Sequence, residues 1–297
     1  MFDRLRDYMR LMRVPGIGGL GLIPVIGAIT VNNLSLLTII PLFMIGIFFN
    51  IFGFILNDYI DIDLDKHSKS LSKRPLVKGT ITKRKSIIIM IICLLIGWFT
   101  VFIFLYRNED IFYLGLLVLF ISNVLIIIYD LFGKKLIGSD FIFALAETFF
   151  FLFGVLVSST DGILSIFTWV GLIIIFNQMF YENAITGGLK DADHDYLKNV
   201  KNIALEFGVK VNTDKKLYIP IKFKILGVGI HLITAPFIFI PFIFYGINYE
   251  IWEIILLFFI VLLALFLTIK MLSIEIFVWF VMFTNLPSND LSTLKGK

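Results

Sequence analysis

The sequence predicts an all-α fold: a polytopic membrane bundle of eight or nine transmembrane helices around a central cavity, with a cytoplasmic N-terminus. Three observations predict it. The 297 residues have a mean hydropathy of +0.95 and only 16% are charged, well below the roughly 25% of soluble domains. Apolar runs rich in Ile, Leu and Phe are long enough to cross a bilayer as helices, for which about 20 residues suffice, and they lack the short alternating pattern of a transmembrane β-barrel. Lys and Arg crowd the loops on one side of these runs, as cytoplasmic loops do.

The first span is 14–31, preceded by four basic residues. A cleaved signal peptide is not expected, because an apolar stretch of about 18 residues is long for one and cleavage would remove a span. Span two, 36–56, opens into loop 57–85 with eight basic residues. Spans three and four, 86–106 and 111–129, flank Arg107, the one basic residue on the opposite side up to the eighth span. Two basic residues in 130–140 precede span five, 141–158, and span six, 163–185. Loop 187–224 carries eight more before spans seven and eight, 221–246 and 251–270. A short apolar stretch near 273–286 is the candidate ninth span.

The outer connections 32–35, 107–110, 159–162 and 247–250 are only a few residues each, whereas 57–85 and 187–218 are long. Long loops in a compact domain are usually functional, which makes the cytoplasmic side the working face. Nothing in 1–297 reads as a linker or a separate soluble domain, so the chain is expected to be a single integral-membrane domain. The single Cys93, within span three, excludes an intrachain disulfide.

Two acidic clusters stand out, one after span two and one after span six. On a helix Asn57, Asp61 and Asp65 share a face, with Asp58 one turn from Asp61; Asp191 and Asp195 pair in the same way. Like charges so placed repel unless a cation joins them, and acids at a helix C-terminus oppose the macrodipole. Carboxylates with an Asn amide oxygen form the hard donor set that suits Mg2+. The pattern therefore implies a Mg2+-dependent diphosphate site at a membrane surface, and its recurrence suggests two halves facing each other across the cavity.

Other ions fit less well. A calcium loop would need Gly at its sixth position and Glu at its twelfth, where the clusters have Lys66 or Tyr196 and Ser72 or Asn202. Asp63 and Asp193 are expected to face solvent. His67 and His194 lack the partner spacing of a zinc site, and His231 reads as a packing group. The excess of Lys and Arg, net charge +4, reads as a topogenic signal attracting anionic lipid at residues such as Lys83, Arg84, Lys215 and Lys216, and as a lure for anionic substrates. No nucleic-acid partner is expected. Polar groups inside spans usually face a bundle interior or wet cavity; here they are Asn50, one heptad before Asn57, together with Glu147, Gln178, Glu182 and Asn183.

Asn57-Asp58-x-x-Asp61-x-x-x-Asp65, followed by Arg74-Pro75-Leu76 and Gly79, resembles the first signature of the UbiA superfamily of intramembrane prenyltransferases. Asp191-x-x-x-Asp195, after Gly188-Leu189-Lys190 and before Gly208, resembles the second. Tyr129 with Lys134 is similar to the family's Tyr-x-x-x-x-Lys element, and Arg13 to its basic start of helix one. The resemblance implies nine helices around a cavity and two Mg2+ ions held between the motifs by Asn57, Asp58, Asp61, Asp65, Asp191 and Asp195. It implies Arg13, Arg74, Tyr129 and Lys134 as diphosphate contacts, with Asp58, Asp61 and Asp191 catalytic. The implied reaction is prenyl transfer from an isoprenyl diphosphate to an aromatic quinone precursor or a prenylated glycerol phosphate, at the cytoplasmic face of the cell membrane, with Glu182 or Glu147 as a base. This chain departs from the family in having Lys201-Asn202 where an Arg-Thr pair is usual, and Asp130 beside Tyr129. Of the alternatives, a CDP-alcohol phosphotransferase would show Asp-Gly-x-x-Ala-Arg, which is missing, and a divalent-cation transporter would hold its acids near mid-membrane.

Overall fold

A computed structural model describes residues 2–66, 71–106, 109–197, 200–211 and 217–273. His67, Arg107, Lys215, Lys216 and, beyond Ser273, the ninth-span stretch lie outside the described residues, as do the side chains of Asp193 and His194.

Proline and one left-handed residue divide what the sequence reads as a single first span. It comprises α1 (Phe2–Leu11), α2 (Val14–Gly21) and α3 (Ile23–Thr30). Pro15 and Pro24 sit in the first turns of α2 and α3, where the missing N–H has no helical partner to lose. Arg13, between α1 and α2, has φ 49°, a conformation costing a non-glycine residue on the order of 1–3 kcal/mol that persists only where contacts enforce it.

Span two is α4 (Leu36–Ile60), continued after Asp61 by α5 (Ile62–Asp65). The bonds Asp61 N–H to Asn57 O, 3.0 Å, and Asp65 N–H to Asp61 O, 2.8 Å, carry the helical path through the first acidic cluster. A 3₁₀ turn, Leu71–Lys73, and α6 (Pro75–Lys78) lead to α7 (Lys83–Phe104), whose N-terminus is capped by the Thr82 hydroxyl. Then come α8 (Asp110–Phe132), α9 (Ser139–Ser158) and α10 (Ile166–Phe180). The last runs through a π-helical segment, Tyr181–Gly187, into α11 (Gly188–Leu197). After α12 (Ile203–Glu206), β1 (Lys210–Val211) and β2 (Leu217–Tyr218) pair antiparallel, Lys210 opposite Tyr218, and α13 (Ile221–Tyr245) and α14 (Ile251–Ser273) complete the described chain.

Seven helical runs are long and apolar enough to span a membrane by themselves among the described residues. Expected span six is realised by α10 together with the π segment, so no single regular helix there has the full length. Apart from the two-residue ribbon, the fold is all-helical as expected.

Among the described residues α9 is the most enclosed span and α14 the least, which places α9 at the bundle centre. Phe151 and Phe153 of α9 are fully buried with Leu42, Ile45, Val101 and Leu119 from α4, α7 and α8. A second cluster joins Ile185, Ala192, Ala204, Phe223 and Leu272 beneath the second acidic motif. A third, with Leu11, Ile55, Ile62, Leu76 and Ile81, seats the loop after the first.

Backbones touch where α3 crosses α9. A Cβ on Gly154 would overlap the Pro24 carbonyl oxygen, and one on Gly27 would overlap that of Phe151. Small residues at such crossings allow van der Waals contact, which drives helix association where lipid removes the hydrophobic term. Gly154→Val is expected to destabilise the protein by about 1–3 kcal/mol, because backbone cannot move aside as a rotamer would. Melting temperature in detergent is the check, with Gly229→Ala, whose added Cβ meets nothing within 4 Å, expected to leave it unchanged.

Candidate active site

The site lies at the loop-rich end of the bundle, where the end of α4 with α5, the α8–α9 turn, and the π segment with α11 converge. Asn57, Asp61 and Asp65 line one cavity of ≈ 220 Å³, as their four-residue spacing predicts, and Asp191 faces them from α11. Arg13, Arg74 and Lys190 share its wall. A smaller adjoining cavity of ≈ 60 Å³ has Asn57, Asp61, Tyr129, Lys134 and Asp191 in common with the first and adds Asp195 and Asn202.

Arginine holds the first cluster together. Arg74 donates to Asp58 Oδ1 at 2.9 Å and to Asp65 Oδ2 at 2.6 Å, and Arg13 donates to the same Asp58 oxygen at 2.8 Å while lying 4.6 Å over the Phe54 ring. These contacts fix Arg13 in its left-handed conformation. Asp58 lines neither cavity. One residue along a helix turns the side chain about 100°, and Asp58 faces the two arginines.

The second cluster is held differently. Lys134 Nζ lies 3.4 Å from Asp195 Oδ1, and Asn202 donates to Asp195 Oδ2 at 2.8 Å while its own oxygen caps α12 at Leu205 N–H. The backbone N–H of Lys201 donates to the Lys134 carbonyl at 3.2 Å, tying the loop after α11 to the α8–α9 turn. At the Lys201-Asn202 departure, the Asn202 amide thus clamps Asp195.

Asp61 and Asp191 differ from Asp58, Asp65 and Asp195: the side chain of neither makes a hydrogen bond or ion pair with the described residues. The Asn57 amide nitrogen is committed to Asp130 Oδ1 at 3.2 Å, so its oxygen is the atom available to a cation. Among the described residues no three acidic, Cys or His groups assemble into a metal cluster. Two carboxylates with free oxygens and the Asn57 amide oxygen are a donor set that fits Mg2+, which is usually bound by one or two carboxylates together with substrate phosphates and water.

Burial pushes the Asp65 carboxyl up to about 6, against the lowering effect of Arg74. Asp61 is also raised, by burial first, with Lys134 and Arg74 opposing. For Lys134 burial disfavours the charge, yet Asp195, Asp191 and Asp61 outweigh it and hold the ammonium protonated well above its ordinary range. The Lys134 ammonium thus stays charged among these acids, and together with Arg13 and Arg74 it draws anions to the site.

Tyr129 lines both cavities, and its hydroxyl belongs to a relay that was not legible in the sequence. Asn183 donates to the Tyr129 hydroxyl and to Asp140 Oδ1, both at 2.9 Å. The π segment shifts helical register at this point, and such insertions commonly occur at functional sites. It leaves Asn183 inside while Glu182 faces outward, bonded to Gln178 at 3.2 Å. Neither Glu182 nor Gln178 lines these two cavities. His231 packs against Tyr181 with ring centroids 4.3 Å apart, the packing role expected of it. Sequence reasoning overlooked Asp140 and gave no role to Lys190; the available signal for Asp140 was its seven-residue spacing from Glu147, matching Asn50 and Asn57.

Residues 21–276 match the UbiA prenyltransferase family. The chain is 30% identical over 129 residues to 4-hydroxybenzoate octaprenyltransferase of Blochmanniella floridana, covering 42% of this chain and 45% of that protein. It is 32% identical over 97 residues to protoheme IX farnesyltransferase of Saccharolobus islandicus, covering 32% and 34%. The matches thus span less than half the length of these curated relatives. Among solved structures, a UbiA homolog from Archaeoglobus fulgidus bound to DMAPP and Mg2+ superposes with a TM-score of 0.64 at 20% identity, covering 89% of this chain and 86% of that one.

The raised Asp65 pKa carries a sign. A carboxyl whose folded pKa exceeds its ordinary 3.8 contributes stability that is full below that value and is lost as pH rises through about 6. The metal-free protein in detergent is therefore expected to melt higher at pH 5 than at pH 7. Asp65→Asn should flatten that slope, and an unaltered slope would show that other groups set it.

Proposed function

This chain belongs to the UbiA prenyltransferase family, and from that premise we propose that it transfers a prenyl group from an isoprenyl diphosphate to an aromatic quinone-precursor or prenylated glycerol phosphate acceptor within the membrane. Mg2+ is the proposed cofactor. The diphosphate site is proposed to face the cytoplasm, with the N-terminus on the same side, because the Lys and Arg of the long loops gather there. The observation that carries the reading is the pair Asp61 and Asp191: one from each motif, both without a protein partner among the described residues, facing one cavity flanked by Arg13, Arg74 and Lys190.

Asp61, Asp191 and the Asn57 amide oxygen would hold Mg2+, with Asp65 and Asp195 beside them. Bound there, Mg2+ supplies charge neutralisation of the diphosphate oxygens. Asp58 positions Arg13 and Arg74 for the same anion. As the allylic C–O bond breaks and its electron pair leaves with diphosphate, negative charge grows next to Arg13, Arg74 and Lys134, which stabilise the transition state more than the bound substrate.

Below the charged mouth the cavity wall becomes Leu20, Phe49, Phe54, Phe143 and Phe150. Such a wall excludes water from the prenyl cation and offers it aromatic faces. The acceptor carbon or hydroxyl oxygen then bonds to the prenyl C1 and loses its proton. The relatives' names support the reaction class and differ in the acceptor, a hydroxybenzoate in one and a haem in the other.

Diphosphate release from geranylgeranyl diphosphate is the direct test. Release should require Mg2+ together with one member of a panel of aromatic acids and geranylgeranylglyceryl phosphate, and that member names the acceptor. Asp61→Ala or Asp191→Ala should reduce turnover by at least about 10³-fold, the scale of losing a principal electrostatic contribution, without loss of the folded protein. Near-normal turnover in either variant would remove that residue from the metal site.

A further inference from the structure

Polar side chains in the cavity form two tiers separated by one heptad on three different helices. On α4 the pair is Asn50 and Asn57, on α8 Asn123 and Asp130, and on α9 Glu147 and Asp140. Seven residues at 1.5 Å each place the second tier about 10 Å deeper in the membrane than the first. The upper tier surrounds the acidic motifs. The lower tier, with Ser122 beside Asn123, lies on the wall that also holds Phe49, Phe143 and Phe150.

Most of the lower tier is internally satisfied. Asn50 donates to the Gly46 carbonyl at 2.8 Å, Asn123 to that of Leu119 at 2.9 Å, and Ser122 to that of Ala146 at 2.8 Å. Glu147 is the exception. It is 5% exposed and lines the cavity, and its Oε2 meets no hydrogen-bond partner among the described residues. A carboxyl left unpaired midway along a membrane span is costly, and a prenyl hydrocarbon tail beside it would leave it unpaired.

We infer that Glu147 is the anchor of a second, deep subsite, which takes the hydroxyl of a phenolic acceptor whose ring lies among Phe49, Phe143 and Phe150. That the ligand is the acceptor rests on the prenyl-transfer reading above; that the subsite selects an O–H donor does not. A phenol satisfies both features of the place, an aromatic body against aromatic walls and one donor for one buried oxygen. Glu147 here orients the ring by its far hydroxyl. The opposite edge of the ring faces the upper tier, from which the prenyl group arrives.

The test uses the full chain in detergent and two probes that differ only in the donor, 4-butylphenol and 4-butylanisole, with dissociation constants read by calorimetry. The wild-type protein should bind the phenol at least about tenfold tighter, the scale of one hydrogen bond to a carboxyl. Glu147→Leu should bring the ratio close to one, and Glu147→Gln, which keeps an acceptor oxygen, should retain most of the preference. No preference in the wild type, or the same preference in Glu147→Leu, overturns the subsite.

Mg2+-dependent binding of geranyl diphosphate, measured in parallel, should be unchanged in both variants, and its loss only in the variants would place Glu147 at the diphosphate instead and also overturn the inference. Its failure in the wild type would count against the prenyl-transfer reading alone, with the phenol-to-ether ratio still judging the subsite.

Discussion

Charge buried at one end of an apolar bundle must be matched by charge, and the Arg74 guanidinium does most of that matching. It bridges Asp58 and Asp65, while Arg13 reaches the same Asp58 oxygen from the break between α1 and α2. Removing one partner of a buried pair leaves the other uncompensated at a cost of about 3–5 kcal/mol. The bridge therefore fixes more than two side chains. It seats loop 71–81 against α4, holds Arg13 in a left-handed conformation, and turns Asp58 out of the cavity so that Asn57, Asp61 and Asp65 line it.

With those acids committed, the two left without protein partners face each other across the cavity. The division follows from helical phase on one side and from the clamp on Asp195 by Lys134 and Asn202 on the other. A site built this way is incomplete until an anion arrives with its cation, and the retained charge of Lys134 favours that arrival. Below the mouth, the polarity falls from carboxylates to phenylalanines within two helical turns and then rises again at Glu147. On the proposed prenyl-transfer reading, cleavage of a charged leaving group and protection of an apolar cation need opposite surroundings, and this profile would provide both within one cavity.

Irregular backbone occurs where the site needs it. Arg13 leaves the helical conformation to point its guanidinium at Asp58, and the π segment rotates Asn183 inward toward Tyr129 and Asp140 while Glu182 turns to the outside. The regular crossings, such as Gly27 and Gly154 between α3 and α9, carry the packing instead. Irregular backbone at Arg13 and Asn183 thus serves the cavity, and close packing holds the frame on which these side chains sit.

Hydropathy and the one-sided placement of Lys and Arg made the span order legible, since both arise from the bilayer and need no tertiary knowledge. Four-residue spacing made Asn57, Asp61 and Asp65 a shared face and Asp191 a partner of Asp195, because local helical geometry alone sets those phases. The breaks at Arg13 and Leu22, the π insertion, and the roles of Asp140, Lys190 and Asn202 were not legible. Each depends on which neighbour another helix brings within hydrogen-bond reach. The same limit applies to Asp58, whose two arginine partners come from α1–α2 and from the loop before α6 and could not be read from the motif. Sequence determined which groups gather at the membrane surface, and tertiary structure decided which of them neutralise one another and which are left for a ligand.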